Sequence, residues 1–285
     1  MGNPWTISDL YEAKRLRRKI AAVSCYDYTT AGLMTDAGIH MVLVGDSAAQ
    51  VMLGHDSTLP ATMDYMVAIT TAVRRGAPDA LLVADMPFLS YALGVHEAVR
   101  NAGRFVQEAG AQMIKIESTP AQVDVIKAVS DADMAVMAHI GIRPQSVGKT
   151  GRLRAEGVVA PDALELILLA ERMVEAGAGC LLLEGVAREA AAIITQRVDV
   201  PVISCGSGPD CDGQILIISD ILGLTRGTLP KFSRKYADLA DSIQDAVGRY
   251  ATDVKESAFP DDEHCYHLKP GEIEILRQML KALET

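Results

Sequence analysis

Eight short apolar runs, separated by longer amphipathic stretches, constrain this 285-residue chain more than any other feature of its sequence. They are "IAAVSCY" from Ile20, "MVLVGDS" from Met41, "ALLVADMP" from Ala80, "MIKIE" from Met113, "MAVMAHIG" from Met134, "CLLLEG" from Cys180, "PVISCGSG" from Pro201 and a weaker "ILGLT" from Ile221. Such runs, without polar alternation, suit strands buried on both faces, as parallel strands are. Between them, stretches such as "HEAVRNAGRFVQEAG" and "DALELILLAERMVEAGAG" carry apolar residues three and four apart and end on glycine, as helices often do. Thr119-Pro120 and Ala160-Pro161-Asp162 supply helix starts. Eight alternations predict an α/β fold, a (βα)8 TIM barrel, in preference to an open doubly wound sheet.

No Pro/Ser-rich linker divides the chain, so a single barrel domain over residues 1–285 is expected, with residues 226–285 as C-terminal helices and tail. With 49% hydrophobic and only 5% aromatic residues, the composition suits helices packed closely on small-residue strands. A formal charge of −10 and a single basic run, Lys14 to Lys19, argue against nucleic acid as a partner. That run reads as the solvated face of an N-terminal helix. Five cysteines without a CxxC pair, and no apolar signal segment, lead us to expect a reducing cytoplasm. No apolar run approaches the roughly 20 residues needed to span a membrane.

In a parallel barrel the βα loops surround one mouth at the C-terminal ends of the strands, and catalytic groups gather there. The predicted strand ends carry Asp46 and Ser47, Asp85, Lys115 and Glu117, His139, Glu184, and Ser207. Any one of these could merely cap a helix or open a turn. As a set at one level they point to a site, because Lys115 and Glu117 face the same way from one strand. Facing carboxylates repel and take up protons unless a cation neutralises them, and hard oxygen ligands favour Mg²⁺ over Zn²⁺. An α-keto acid would chelate such a cation, with Lys115 adding positive charge and Glu184 placed to move a proton. "SVGKTG" lacks the first glycine of a phosphate-binding loop, and "GSGPDC" has Cys211 where a dinucleotide fingerprint needs its third glycine.

In order along the chain, "VGDS", "GHDSTLP", "AVRRGAP", "VADMPF", "MIKIE", "HIGIRPQS", "LLLEGV" and "DGQIL" resemble the ketopantoate hydroxymethyltransferase family from about residue 6 to residue 267. The resemblance implies a (βα)8 barrel related to the phosphoenolpyruvate mutase and isocitrate lyase superfamily. The implied reaction adds a one-carbon unit from 5,10-methylenetetrahydrofolate to 3-methyl-2-oxobutanoate, giving 2-dehydropantoate for pantothenate biosynthesis. It further implies that Asp46 and Asp85 bind Mg²⁺, with Glu117 completing the metal site directly or through water. Ser47 and Lys115 would hold the keto acid, His139 would lie near it, and Glu184 matches the family's base. A homo-oligomer is expected, a decamer if the chain follows the family.

Arg143, Lys149, Arg152 and Arg154, all in the loop after the fifth strand, would suit the glutamate tail of a folate. That loop also departs from the family. Gly151 is followed by Arg152 and Leu153 in place of a second glycine and an aromatic, and Glu156 stands where a glutamine usually precedes Gly157. Ser219 and Thr228 occupy positions where many members have histidines. These departures keep two alternatives open: a paralogue acting on another α-keto acid, and a folate-independent, Mg²⁺-dependent carbon–carbon lyase. A non-catalytic barrel has no need of Asp46, Asp85, Lys115, Glu117 and Glu184 together.

Overall fold

The computed structural model describes residues 4–284, which fall into two compact units, one through Tyr236 and the other from Ala237. The first is a closed barrel of eight parallel strands: β1 (Ile20–Ser24), β2 (Met41–Val44), β3 (Leu81–Asp85), β4 (Met113–Glu117), β5 (Ala135–Gly141), β6 (Cys180–Glu184), β7 (Val202–Cys205) and β8 (Gly213–Ile217). Each pairs with the next, and β8 returns to β1.

Seven strands form where the apolar runs predicted them, and the eighth does not. "ILGLT" closes the short helix Ile218–Leu222 and runs through Gly223, whose left-handed backbone ends that helix. The true β8 is "GQILI", which the apolar pattern under-reads because it opens with Gly213 and Gln214. The glycine is required by closure: a Cβ there would sit 2.7 Å from Ile20 O and 2.8 Å from Ile20 Cβ on β1.

Apolar residues divide into two layers. Ile20, Met41, Leu81, Met113, Met137, Cys180, Ile203 and Ile215 fill the barrel, while alternate strand residues pack outward against helices such as Met63–Gly76 and Val95–Ala109. The N-terminal helix Ile7–Arg15 contributes Leu10 and Ala13 to the inner layer. Removing a fully buried leucine side chain costs roughly 2–5 kcal/mol, so Leu10 fastens that helix to the barrel.

The basic run is only partly the solvated face expected of it. Residues 15–19 are exposed, but Lys14 Nζ pairs with Asp212 Oδ2 at 2.8 Å and donates to Thr195 O at 3.0 Å, and the exposed Lys19 donates through Nζ to Pro209 O at 2.9 Å. Both lysines tie the N-terminal segment to the second half of the barrel.

The second unit contains the helices Leu239–Lys255 and Glu272–Leu283, joined by a segment with one 3-10 turn at Asp262–His264. No helix among the described residues is long and apolar enough to cross a membrane.

Candidate active site

Strand register brings the predicted residues together. Asp85 on β3 stands beside Lys115 on β4, Glu117 beside His139 on β5, and Gly141 beside Glu184 on β6. Because side chains alternate along a strand, Met113, Lys115 and Glu117 all point into the barrel, the methionine into its packed layer and the two charges toward its mouth.

Lys115 Nζ donates to both Asp85 oxygens at 2.7 Å, and Asp46 N donates to Asp85 Oδ2 at 3.0 Å. Asp46, Asp85 and Lys115 are 3%, 1% and 4% exposed, so this charge cluster is almost fully removed from water. Burial works against the ammonium charge, but Asp85, Asp46 and Glu117 outweigh it and hold Lys115 protonated. Burial, reinforced by Asp85, pushes the Asp46 carboxyl well above the usual carboxylate range. Glu117 is pushed up to about 8, mainly by burial.

Gln145, just beyond β5, joins the two raised carboxyls. Its Nε2 donates to Asp46 Oδ2 at 2.8 Å and to Met86 O at 2.9 Å, its backbone N donates to Glu117 Oε1 at 3.2 Å, and its Oε1 accepts from the Tyr91 hydroxyl at 2.6 Å. Glu117 Oε2 remains buried without a hydrogen-bond partner.

Across the mouth, His139 Nε2 stands 3.4 Å from Glu184 Oε2, and neither ring nitrogen has a hydrogen-bond partner. Burial, aided by Lys115, lowers the His139 pKa and favours the neutral ring. Ser47 Oγ lies 2.7 Å from the Tyr26 hydroxyl.

Asp46, Ser47, Asp85, Lys115, His139 and Glu184 line one cavity of about 190 Å³, whose apolar wall includes Leu43, Leu182, Ile215 and Phe232. Asp220 also faces it and accepts from Thr225 Oγ1 at 2.6 Å and Ser233 Oγ at 2.8 Å, fastening the segment that carries Phe232. Glu117 is not in the cavity wall; it is bonded to the backbone of Gln145. Ser207, read as part of the strand-end set, is structural: its hydroxyl donates to Leu183 O at 2.8 Å and accepts from Val186 N at 3.0 Å. Ser219 and Thr228 do not line this cavity.

Sequence reasoning passed over Gln145, Tyr26, Tyr91 and Asp220. Gln145 alone had a signal, an amide in "RPQS" directly after a strand end. The loop that follows it departs from the family and encloses a second cavity of about 660 Å³, with Arg143, Arg152 and Arg154, but not Lys149, in its wall.

Among the described residues no group of three or more His, Cys, Asp or Glu side chains stands assembled around a metal position. Asp85 is engaged by Lys115, and Asp46 by Gln145. The donor set nevertheless suits a hard cation: all its atoms are carboxylate oxygens, one is buried without a partner, and two carboxyls are raised, chiefly by burial, so that a cation beside them would favour their charged form.

A closed parallel barrel with a buried lysine–carboxylate cluster and a separate carboxylate at its C-terminal rim defines a (βα)8-barrel enzyme. Among solved structures the fold is similar to 2,3-dimethylmalate lyase, a member of the PEP mutase/isocitrate lyase superfamily, with a TM-score of 0.58 and 16% identity over 97% of this chain and 98% of that one. It is also similar to phosphonopyruvate hydrolase in complex with oxalate and Mg²⁺, with a TM-score of 0.57 and 15% identity over 98% of each chain.

The sequence narrows the class. The model of the ketopantoate hydroxymethyltransferase family matches residues 4–262, and the chain belongs to this family of enzymes. It is 45% identical to the 3-methyl-2-oxobutanoate hydroxymethyltransferase of Syntrophomonas wolfei subsp. wolfei over 93% of this chain and 96% of that protein. Identity to the protein of the same name from Koribacter versatilis is also 45%, over 97% of this chain and 93% of that one.

Proposed function

We propose that the enzyme transfers a hydroxymethyl group from 5,10-methylenetetrahydrofolate to 3-methyl-2-oxobutanoate, forming 2-dehydropantoate. The observation that carries this reading is the convergence of Asp46, Ser47, Asp85, Lys115, His139 and Glu184 on one small cavity that also has an apolar lining. Family membership supports the reaction, and the donor set supports Mg²⁺ held by Asp46 and Asp85, with Glu117 behind them contributing directly or through water. When bound, the cation supplies Lewis-acid polarisation of the carboxylate and keto oxygens of the substrate.

The chain's own residues supply the rest. Lys115, kept protonated by its carboxylate neighbours, places positive charge beside the oxygens on which negative charge grows. Ser47, oriented by Tyr26, donates toward the substrate carboxylate. Glu184 removes the C3 proton, making C3 the nucleophile toward the one-carbon unit of the folate. Neutral His139, 3.4 Å away, flanks that carboxylate without adding a charge. Leu43, Leu182, Ile215 and Phe232 surround the alkyl branch and exclude water. A cytoplasmic location, a folate tail held at the basic loop and a homo-oligomeric state, decameric if it follows the family, belong to the same proposal.

Deuterium exchange at C3 of 3-methyl-2-oxobutanoate, followed by NMR with Mg²⁺, tests it. Mg²⁺-dependent exchange is expected without folate, and hydroxymethylated product when methylenetetrahydrofolate is added. No exchange under any condition would sink the reading. Exchange without product would favour a paralogue with another acceptor or donor.

A further inference from the structure

The second cavity adjoins the first, and Leu153 belongs to the walls of both. Main-chain bonds hold them side by side. Ile142 N donates to Glu184 O at 2.8 Å, Glu156 N to Gly185 O at 2.9 Å, and Ala187 N to Glu156 O at 2.9 Å, so Glu156 bridges Val186 in parallel. The loop is thereby stitched to the residues that immediately follow Glu184, and a ligand in the larger cavity borders the proposed base.

Two side chains in that cavity are poorly satisfied by the protein itself. Arg143 Nη1 and Glu156 Oε2 face each other at 3.9 Å, too far for a hydrogen bond, and Arg143 Nε is buried without a partner. Leaving such groups unmade is costly, and a ligand that offers donors to the carboxylate and an acceptor to the guanidinium would relieve it. The pyrimidinone edge of a pterin has that pattern: its 2-amino and N3–H groups lie side by side, matching two carboxylate oxygens, with the C4 carbonyl beside them. Leu153, Val158 and Leu166 offer apolar surface for an aromatic spacer, and Arg152 and Arg154 offer charge for a glutamate tail.

We infer that the larger cavity receives the folate co-substrate, Glu156 accepting from the 2-amino and N3–H groups of the pterin and Arg143 donating to its C4 carbonyl. The inference rests on the folate reading above and specifies the part of the chain that recognises the donor. It also accounts for the glutamate at position 156, since a carboxylate offers two acceptors where an amide offers one.

Calorimetric titration with tetrahydrofolate, in the presence of Mg²⁺ and 3-methyl-2-oxobutanoate, tests the placement. Glu156→Ala should weaken binding by roughly tenfold or more, and Glu156→Gln by less. Val158→Trp, whose indole would occupy part of the cavity, should weaken binding while C3 deuterium exchange persists in the neighbouring cavity. Unchanged affinity in Glu156→Ala or Val158→Trp would overturn the placement, as would loss of exchange in Val158→Trp, because the two ligands would then share one cavity. Failure of the unsubstituted protein to bind tetrahydrofolate would overturn the folate reading itself.

Discussion

Gln145 donates its side-chain amide to Asp46 Oδ2 at 2.8 Å from 99 residues further along the chain. The same residue also binds Glu117 through its backbone, so one loop residue sets the spacing of two carboxylates assigned to the cation.

Gln145→Ala should therefore weaken Mg²⁺ binding about 10- to 100-fold, as loss of a residue that orients metal ligands typically does. It also leaves Tyr91, Met86 O and Asp46 Oδ2 short of a buried partner, at about 1–3 kcal/mol for each group left unmade. Mg²⁺ titration of the exchange rate and urea denaturation measure the two effects. Undiminished Mg²⁺ affinity would remove Gln145 from the site.

Glu184→Gln should slow C3 exchange about 10²- to 10⁴-fold, the range associated with a positioned base. Folding should be little affected, because the side chain is partly exposed and its ion-pair contact is His139 at 3.4 Å. Exchange at the native rate would preserve Mg²⁺-dependent enolisation but take the role of base from Glu184.

Metal-free protein should lose stability as the pH rises from about 6.5 to about 8. Asp46 and Glu117 have folded-state pKa values raised above their unfolded ones, chiefly by burial, so their contribution is fully present below pH ~4 and is lost as pH rises through the folded values. His139, lowered by burial, acts in the opposite sense, but its gain is complete once the unfolded imidazole has titrated near pH 6.5. Each proton that the folded state still holds and the unfolded chain has released costs up to about 1.4 kcal/mol per pH unit. Melting temperatures in EDTA and in Mg²⁺ should therefore diverge with rising pH, and parallel curves would contradict a cation at these carboxylates.

Gly141 has φ +102° and lies in register beside Glu184, and a Cβ there would run into Glu184 O and come within 2.7 Å of Val186 Cγ2. Gly141→Ala adds a conformation disfavoured by about 1–3 kcal/mol to that clash, so a loss of about 3 kcal/mol or more is expected. Because the clash pushes on the strand end that carries the proposed base, exchange should fall even at temperatures where the variant is folded. Chemical denaturation and the exchange assay, run on the same preparation, separate the two effects.

The barrel was legible because strands covered on both faces need apolar side chains on both, and seven runs met that need. β8 was not, because the demand on Gly213 comes from the close approach of Ile20 across the closure, a contact 193 positions away in the numbering and invisible to local hydropathy. The charged residues showed for the same reason: Asp85, Lys115 and Glu117 interrupt otherwise apolar strands, where an unpartnered charge is costly. Tyr26 lies where polar residues are ordinary, and nothing local separates it from other strand-end positions; the amide in "RPQS" after β5 is the only local mark on Gln145, and it does not say which carboxylates that amide meets.

An α/β chain of repeated strand–helix units with charges at successive strand ends can be read along the chain, since periodicity and apolar patterning are written residue by residue. The pairing of Lys115 with Asp85, the place of Glu117 behind Gln145 outside the cavity wall and the stitching of Glu156 beside Glu184 emerge when the barrel closes and its loops pack. Those relationships depend on strand register and on loops meeting across the mouth, and the free energy that selects them resides in contacts between residues distant along the chain.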